Sequence, residues 1–220
     1  MSLEIYWGSG SPFAWRVLLT AELKGVPYVS KQLEFSKKEH KADSYLLLNP
    51  RGEVPTLKDG VTILTESIAI MTYLDMKFPS PPLFGSTPIE TARIWSWISI
   101  AMYHYEAMSN RLVVPIFEKT VRQCADDMRS AAVLLHNEWS GLEKALSTNA
   151  CVVGDSISAA DIVIFTYLAY LLRIVGREIV TPLDLGFHPM ATRYPSISAW
   201  CRRIEKIKGY DNAFPPHWRT

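Results

Sequence analysis

The spacing of apolar and polar positions changes several times along the first 78 residues. Residues 3–6 alternate and read as a short strand. Residues 12–24 carry Phe13, Val17, Leu18 and Ala21 at helical spacing, and Gly25 follows as a stop. Residues 28–33 read as a second strand, and 38–47 are weakly helical. Two short apolar runs, 56–58 and 61–64, flank Asp59-Gly60, a two-residue hairpin signal. Residues 67–77 are helical, with Ile68, Met71, Tyr73 and Leu74 available to pack. The resulting order, β-α-β-α-β-β-α, predicts a mixed sheet with at least one parallel pair, because a helix between strands serves as a crossover.

The pattern breaks at Pro79, Pro81 and Pro82, which cannot continue a helix and stiffen an extended link. Residues 79–85 are therefore expected to join a first domain, 1–78, to a second, 86–220. The second reads as almost all helix. Thr87-Pro88-Ile89-Glu90 is a capping box with proline at the first helical position, and the helix it opens is expected to run to Val113, where Pro115 kinks or ends it. Residues 121–146 form a long amphipathic pattern. Ser158 and Asp161 form a second cap before a very apolar stretch, 162–175, that is too short to span a bilayer and reads as a central helix. A last helix is expected over 195–207. The tail from Tyr210 is aromatic enough to dock on the surface.

Charge narrows the possible partners. Lys and Arg total 23 and Asp and Glu 22, a net charge of +1, so nothing marks a nucleic-acid or anionic-membrane partner. With 48% apolar residues the chain is not disordered. The first residues lack a basic region followed by an apolar stretch, so no secretory signal is expected. Three widely spaced cysteines, Cys124, Cys151 and Cys201, suit a reducing cytoplasm better than a disulfide framework, and neither they nor the five histidines show metal-ligand spacing.

Four features of the first domain carry candidate chemistry: Ser11-Pro12-Phe13-Ala14-Trp15-Arg16-Val17, Glu39-His40-Lys41, Asn49-Pro50-Arg51-Gly52-Glu53-Val54-Pro55-Thr56-Leu57, and Glu66-Ser67 opening a helix. With these motifs, and with 154–162 around Ser158 and Asp161, the sequence resembles the cytosolic glutathione transferase superfamily over nearly its whole length. The stretch from Ser11 to Val17 is similar to the serine-type classes, such as tau, phi and theta. Omega-type members have cysteine where this chain has Ser11.

The resemblance implies a thioredoxin-like, glutathione-binding N-terminal domain, an all-helical C-terminal domain that supplies the hydrophobic co-substrate site, and a cis Val54–Pro55 bond. It further implies a homodimer. The activity it implies is conjugation of glutathione to small hydrophobic electrophiles, with reduction of organic peroxides as a second use of the same thiolate, with glutathione as co-substrate and no metal. The alternative is a non-catalytic binding or interaction protein on the same fold.

The roles follow from the ligand. Glutathione has two carboxylates, one ammonium and one thiol. Glu66 and Ser67, at a helix start, suit the γ-glutamyl carboxylate. The Val54 backbone before Pro55 offers a short strand edge to the cysteinyl unit. His40 and Lys41 match positions that hold the glycyl carboxylate. Ser11 is expected to donate to the thiolate from the start of its helix; Ser9 is its nearest rival, and Tyr6 reads as core. Glu53 stands where several classes carry Gln or Lys; its carboxylate repels those of glutathione unless neutralised, and Arg51 is close enough in sequence to pair with it. Phe13, Tyr105 and Met108 are the candidates for the co-substrate pocket.

Overall fold

The computed structural model describes residues 3–219. In chain order its elements are β1 Leu3–Trp7, α1 Pro12–Leu23, β2 Tyr28–Gln32, α2 Asp43–Leu46, β3 Thr56–Asp59, β4 Thr62–Leu64 and α3 Ser67–Lys77. There follow α4 Pro88–Ile100, a π-helical turn Ala101–Tyr105, α5 Glu106–Phe117, α6 Ala125–Leu146, α7 Ala159–Val175, α8 Met190–Arg193, α9 Pro195–Ile204 and α10 Tyr210–Ala213. They form two compact units: the chain up to Phe84 together with the segment from Glu205 onward, and residues Gly85–Ile204.

In the first unit the sheet has the order β2-β1-β3-β4. β1 and β2 are parallel, joined through α1, while β3 pairs antiparallel with β1 and with β4. This is the mixed sheet that the strand-helix pattern predicts, and it is the thioredoxin-like arrangement that the resemblance implies. The hairpin differs by one position. Asp59 stays in the ladder opposite Thr62, so the loop is Gly60-Val61. The reason is a tether: the Tyr73 hydroxyl donates to the Asp59 carboxylate at 2.6 Å, and Lys77 pairs with the same oxygen. The weakly helical 38–47 stretch opens on a left-handed Lys38, at φ 55°, that follows a 3₁₀ turn Phe35–Lys37, and it then breaks into a 3₁₀ turn Glu39–Lys41 and α2.

α1 is buried on nearly every side, which explains why its sequence is apolar around most of its circumference. The tail covers it. Trp15 meets Phe214 and Trp218 edge-on at 5.7 and 5.4 Å between ring centroids. The expected second domain, 86–220, is therefore too long: from Glu205 the chain belongs to the first unit, because this aromatic cluster holds it there. The proline-rich link is likewise fixed as far as Phe84. The fully buried Lys24 ammonium donates to the carbonyls of Phe78 and Pro81, both at 2.7 Å, and pairs with Asp75 at 2.6 Å.

The second unit is helical throughout. The long helix expected over 87–113 is interrupted by the π turn and continues past Pro115 to Phe117. α6 starts at Ala125, and it buries Met128, Ala131, Ala132, Leu135, Trp139, Leu142 and Leu146 at helical spacing. α7 is apolar almost all round and correspondingly buried.

His136 on α6 is a buried polar member of this core. Its Nε2 faces the Leu185 carbonyl at 2.7 Å and must donate to it, so in the neutral ring Nδ1 accepts from the Tyr194 hydroxyl at 2.8 Å. Burial holds the imidazole below its ordinary pKa, and nearby Arg193 adds to the shift. The unfolded chain therefore takes up this proton first as pH falls below about 6.5, and stability drops until the folded-state value is passed. The urea midpoint of the wild type is expected to fall between pH 7.5 and 5.5, and His136→Gln is expected to flatten that slope. Equal slopes would remove His136 as the cause.

Candidate functional site

One end of the sheet gathers most of the candidate residues. Tyr6, near the end of β1, lies opposite Thr56 at the start of β3, and Leu57 lies opposite Leu64 at the end of β4. The loop leading into α1, the Val54–Pro55 bond before β3 and the start of α3 after β4 consequently share that end. Two helices begin there, and their free N–H groups give it positive potential.

Ser11 is the N-cap of α1, with Pro12 at the first helical position. Its hydroxyl oxygen accepts from the Ala14 N–H at 3.2 Å. The hydroxyl hydrogen is left to be donated. Ser9 has another partner, since its hydroxyl lies 2.5 Å from Nδ1 of His217. Tyr6 is half-buried rather than core. Its hydroxyl donates to Glu4 at 2.9 Å, and burial together with that carboxylate raises its pKa.

The loop from Asn49 to Pro55 is locked from inside. The Glu53 carbonyl accepts from the Tyr45 hydroxyl at 2.5 Å and from the Asn49 amide at 2.8 Å. Gly52 sits at φ 61°, and a Cβ there would lie 2.7 Å from the His40 carbonyl, so glycine is required twice over. The Val54–Pro55 peptide is cis, and the Val54 backbone makes no hydrogen bond to the other described residues.

Arg51 does not pair with Glu53. Its guanidinium is 2.9 Å from the Glu66 carboxylate, because the turn at Gly52 brings position 51 to the start of α3. The Glu53 side chain is exposed. Glu66 itself is strained, with φ 65° and ψ 112°, while Ser67 beside it is buried. A non-glycine residue in that region costs about 1–3 kcal/mol and is typical of ligand clamps.

The 35–41 loop completes this end. The Phe35 ring lies over Gly8, where a Cβ would come within 2.2 Å of it. His40 packs edge-on against Phe35 at 5.0 Å between centroids, and its Nδ1 is buried without a partner among the described residues. Burial, with Lys41 adjacent, holds the His40 pKa below its ordinary value. The Lys41 ammonium donates to the Arg51 carbonyl at 3.0 Å. Ser11, His40, Lys41, Glu53, Val54, Pro55, Glu66 and Ser67 thus all belong to the first unit.

Of the co-substrate candidates, Phe13 is half-buried in the first unit with the Arg16 guanidinium 4.9 Å from its ring centre. Met108, on α5 of the second unit, is also half-buried. Tyr105 is a poorer pocket candidate than helical spacing suggests: it is only 3% exposed, and its hydroxyl has no partner among the described residues. The residues that sequence reasoning missed are Tyr45 and His217, which reach this end of the sheet through contacts no local pattern announces.

Among the described residues, no cluster of three or more side chains could hold a metal, and no helix is long and apolar enough to cross a membrane. All three cysteines are free, and burial pushes the Cys151 thiol up to about 12, so it is not a nucleophile at neutral pH.

Comparison with known proteins gives a consistent result. Family models of the glutathione S-transferase N-terminal and C-terminal domains match residues 10–77 and 118–203. Glutathione S-transferase A of Pleuronectes platessa is 30% identical over 226 residues, covering 98% of this chain and 92% of its own. Glutathione S-transferase theta-3 of Mus musculus is 29% identical, with 95% of this chain and 84% of its own covered. Among solved structures, a glutathione S-transferase from the Antarctic clam Laternula elliptica matches with a TM-score of 0.81 at 29% identity, over 100% of this chain and 94% of its own.

Proposed function

The chain belongs to the glutathione S-transferase family and is a glutathione transferase, and from that premise we propose that Ser11 stabilises the glutathione thiolate at the sheet end just described. The observation that carries the reading is the hydrogen-bond state of Ser11: its oxygen is spent on the helix cap, and its hydrogen is free for sulfur.

The remaining groups suit the rest of the ligand. The Ser67 hydroxyl and the N–H groups opening α3 take the γ-glutamyl carboxylate. Glu66, held by Arg51, accepts from the ammonium. The free Val54 backbone pairs with the cysteinyl unit as a strand edge. His40 and Lys41 face the glycyl carboxylate. Glu53 contributes its carbonyl, which shapes the loop, and its exposed carboxylate weakens glutathione binding because Arg51 is engaged elsewhere.

The reaction needs no covalent bond to the protein. The thiol proton leaves to solvent, the sulfur electron pair attacks an electrophilic carbon, and the leaving group departs with its own pair. The enzyme supplies proximity and a shifted thiol pKa. The electrophile is a small hydrophobic molecule, and Phe13 in the first unit and Met108 in the second, each half-buried, are the apolar side chains that suit it. A homodimer and a reducing, cytoplasmic setting fit the family and the three free cysteines. Reading the family as an enzyme rather than as a silent binder is tested by turnover: glutathione with an activated aryl halide is expected to give the thioether with release of halide. Binding of glutathione without turnover across a panel of electrophiles would reverse the reading.

Strain at Glu66 gives a second test. Glu66→Gly relieves the left-handed backbone but loses the carboxylate and gains freedom in the unfolded chain, so stability should hold or rise by up to about 1 kcal/mol. The KM for glutathione should rise several-fold. A urea midpoint that falls, or an unchanged KM, would contradict a strained ligand clamp.

A further inference from the structure

The segment from Gly209 to Trp218 runs along α1 like a strap. At one end, a Cβ on Gly209 would lie 2.5 Å from the Glu22 side chain, and the Asn212 amide donates to the Glu22 carboxylate at 2.9 Å. Along its length, Tyr210, Phe214 and Trp218 pack around Trp15. At the other end, His217 reaches the turn that leads into α1, where its Nδ1 lies 2.5 Å from the Ser9 hydroxyl. Its ring also occupies the space beside Gly10. That glycine sits at φ 89°, and a Cβ on it would lie 2.8 Å from the His217 Cε1.

Both contacts are made by the one imidazole ring, and both fall on one three-residue turn, Ser9-Gly10-Ser11. We propose that His217 is a positioning residue of the thiol site. By holding Ser9 and filling the space over Gly10 it fixes the turn that presents the Ser11 hydroxyl. It also engages Ser9, so that Ser11 is the hydroxyl offered to sulfur. Through His217 alone the end of the strap reaches the thiol site, 206 positions from the serine it serves. The inference rests on the proposed role of Ser11.

The thiolate absorbance of bound glutathione, titrated with pH, tests both together with steady-state kinetics. His217→Ala is expected to raise the thiol pKa and to lower kcat roughly tenfold, with the KM for glutathione changed less than twofold, as misplacement of a reacting group does. His217→Asn, whose amide reaches the same place as Nδ1, is expected to restore kcat to within about twofold, since a single comparable hydrogen bond is kept. Ser9→Ala should reproduce His217→Ala, and the two together should do no more than either alone. Asn212→Ala loosens the strap at its far end, and it is expected to lower the melting temperature without moving the thiol pKa. If wild type depresses the thiol pKa and His217→Ala leaves both pKa and kcat in place, the positioning role is overturned while Ser11 stands. If wild type leaves the bound thiol at its solution value, the Ser11 reading falls and this proposal falls with it.

Discussion

Replacing Asp161 by alanine is expected to destabilise the protein by about 3–5 kcal/mol, because buried donors lose their shared acceptor at once. The Asp161 carboxylate accepts from the Val152 N–H at 2.8 Å, the Ser158 N–H at 2.9 Å, the Ser158 hydroxyl at 2.7 Å and the Trp200 indole N–H at 2.9 Å. It is fully buried. Burial pushes its pKa up, and the four donors pull it back toward the ionised form. The carboxylate joins the loop before α7, the cap of α7 and a core tryptophan on α9, so its loss loosens all three. At roughly 2–4 °C per kcal/mol for a chain of this length, the melting temperature should drop by about 6–20 °C. Asp161→Asn keeps part of the network and should fall between the two. Thermal unfolding followed by circular dichroism measures this, and a shift below about 2 °C, within the range of an ordinary surface change, would show that the network is not structural in the way described.

Ser11→Ala is expected to have the largest effect on activity. An unperturbed thiol has a pKa near 8.5, so lowering it by about two units needs roughly 2.7 kcal/mol. A hydrogen bond to a charged group supplies about 1.5–3 kcal/mol. A helix N-terminus adds about 0.3–1 kcal/mol. Ser11 therefore carries most of the shift, and α1 keeps the remainder. The variant should lose more than about tenfold in kcat/KM at pH 7, where the wild-type thiol is mostly ionised and the variant's mostly not. The deficit should narrow to a few-fold above about pH 9, where both thiols are ionised. Loss of the cap costs only about 1 kcal/mol of stability. A pH-independent deficit would point to misfolding or to lost binding instead of a lost thiolate donor.

The strands and the two flanking helices of the first unit were legible because their apolar spacing is set locally: Asp59-Gly60 marks the hairpin and Ser11-Pro12 marks the start of α1. What failed was decided by contacts across the fold. The hairpin loop shifts by one because Tyr73 and Lys77 hold Asp59 in the ladder. Arg51 turns to Glu66, fifteen positions on, because Gly52 redirects the chain. Helical spacing offered Tyr105 to a pocket, but spacing defines a stripe and not what covers it, and the ring is buried. The aromatic tail announced that it would dock and gave no sign of where. Only the packing on Trp15 brings His217 to Ser9, 208 positions away.

The central claim is that this sheet end stabilises a bound thiolate through Ser11. The measurement that meets it most directly is the pH titration of thiolate absorbance for glutathione bound to wild type and to Ser11→Ala. A wild-type thiol pKa about two units below the solution value, returning most of the way in Ser11→Ala, is the predicted result. Glutathione that binds wild type with its solution pKa, or a depressed pKa that survives in Ser11→Ala, would contradict it.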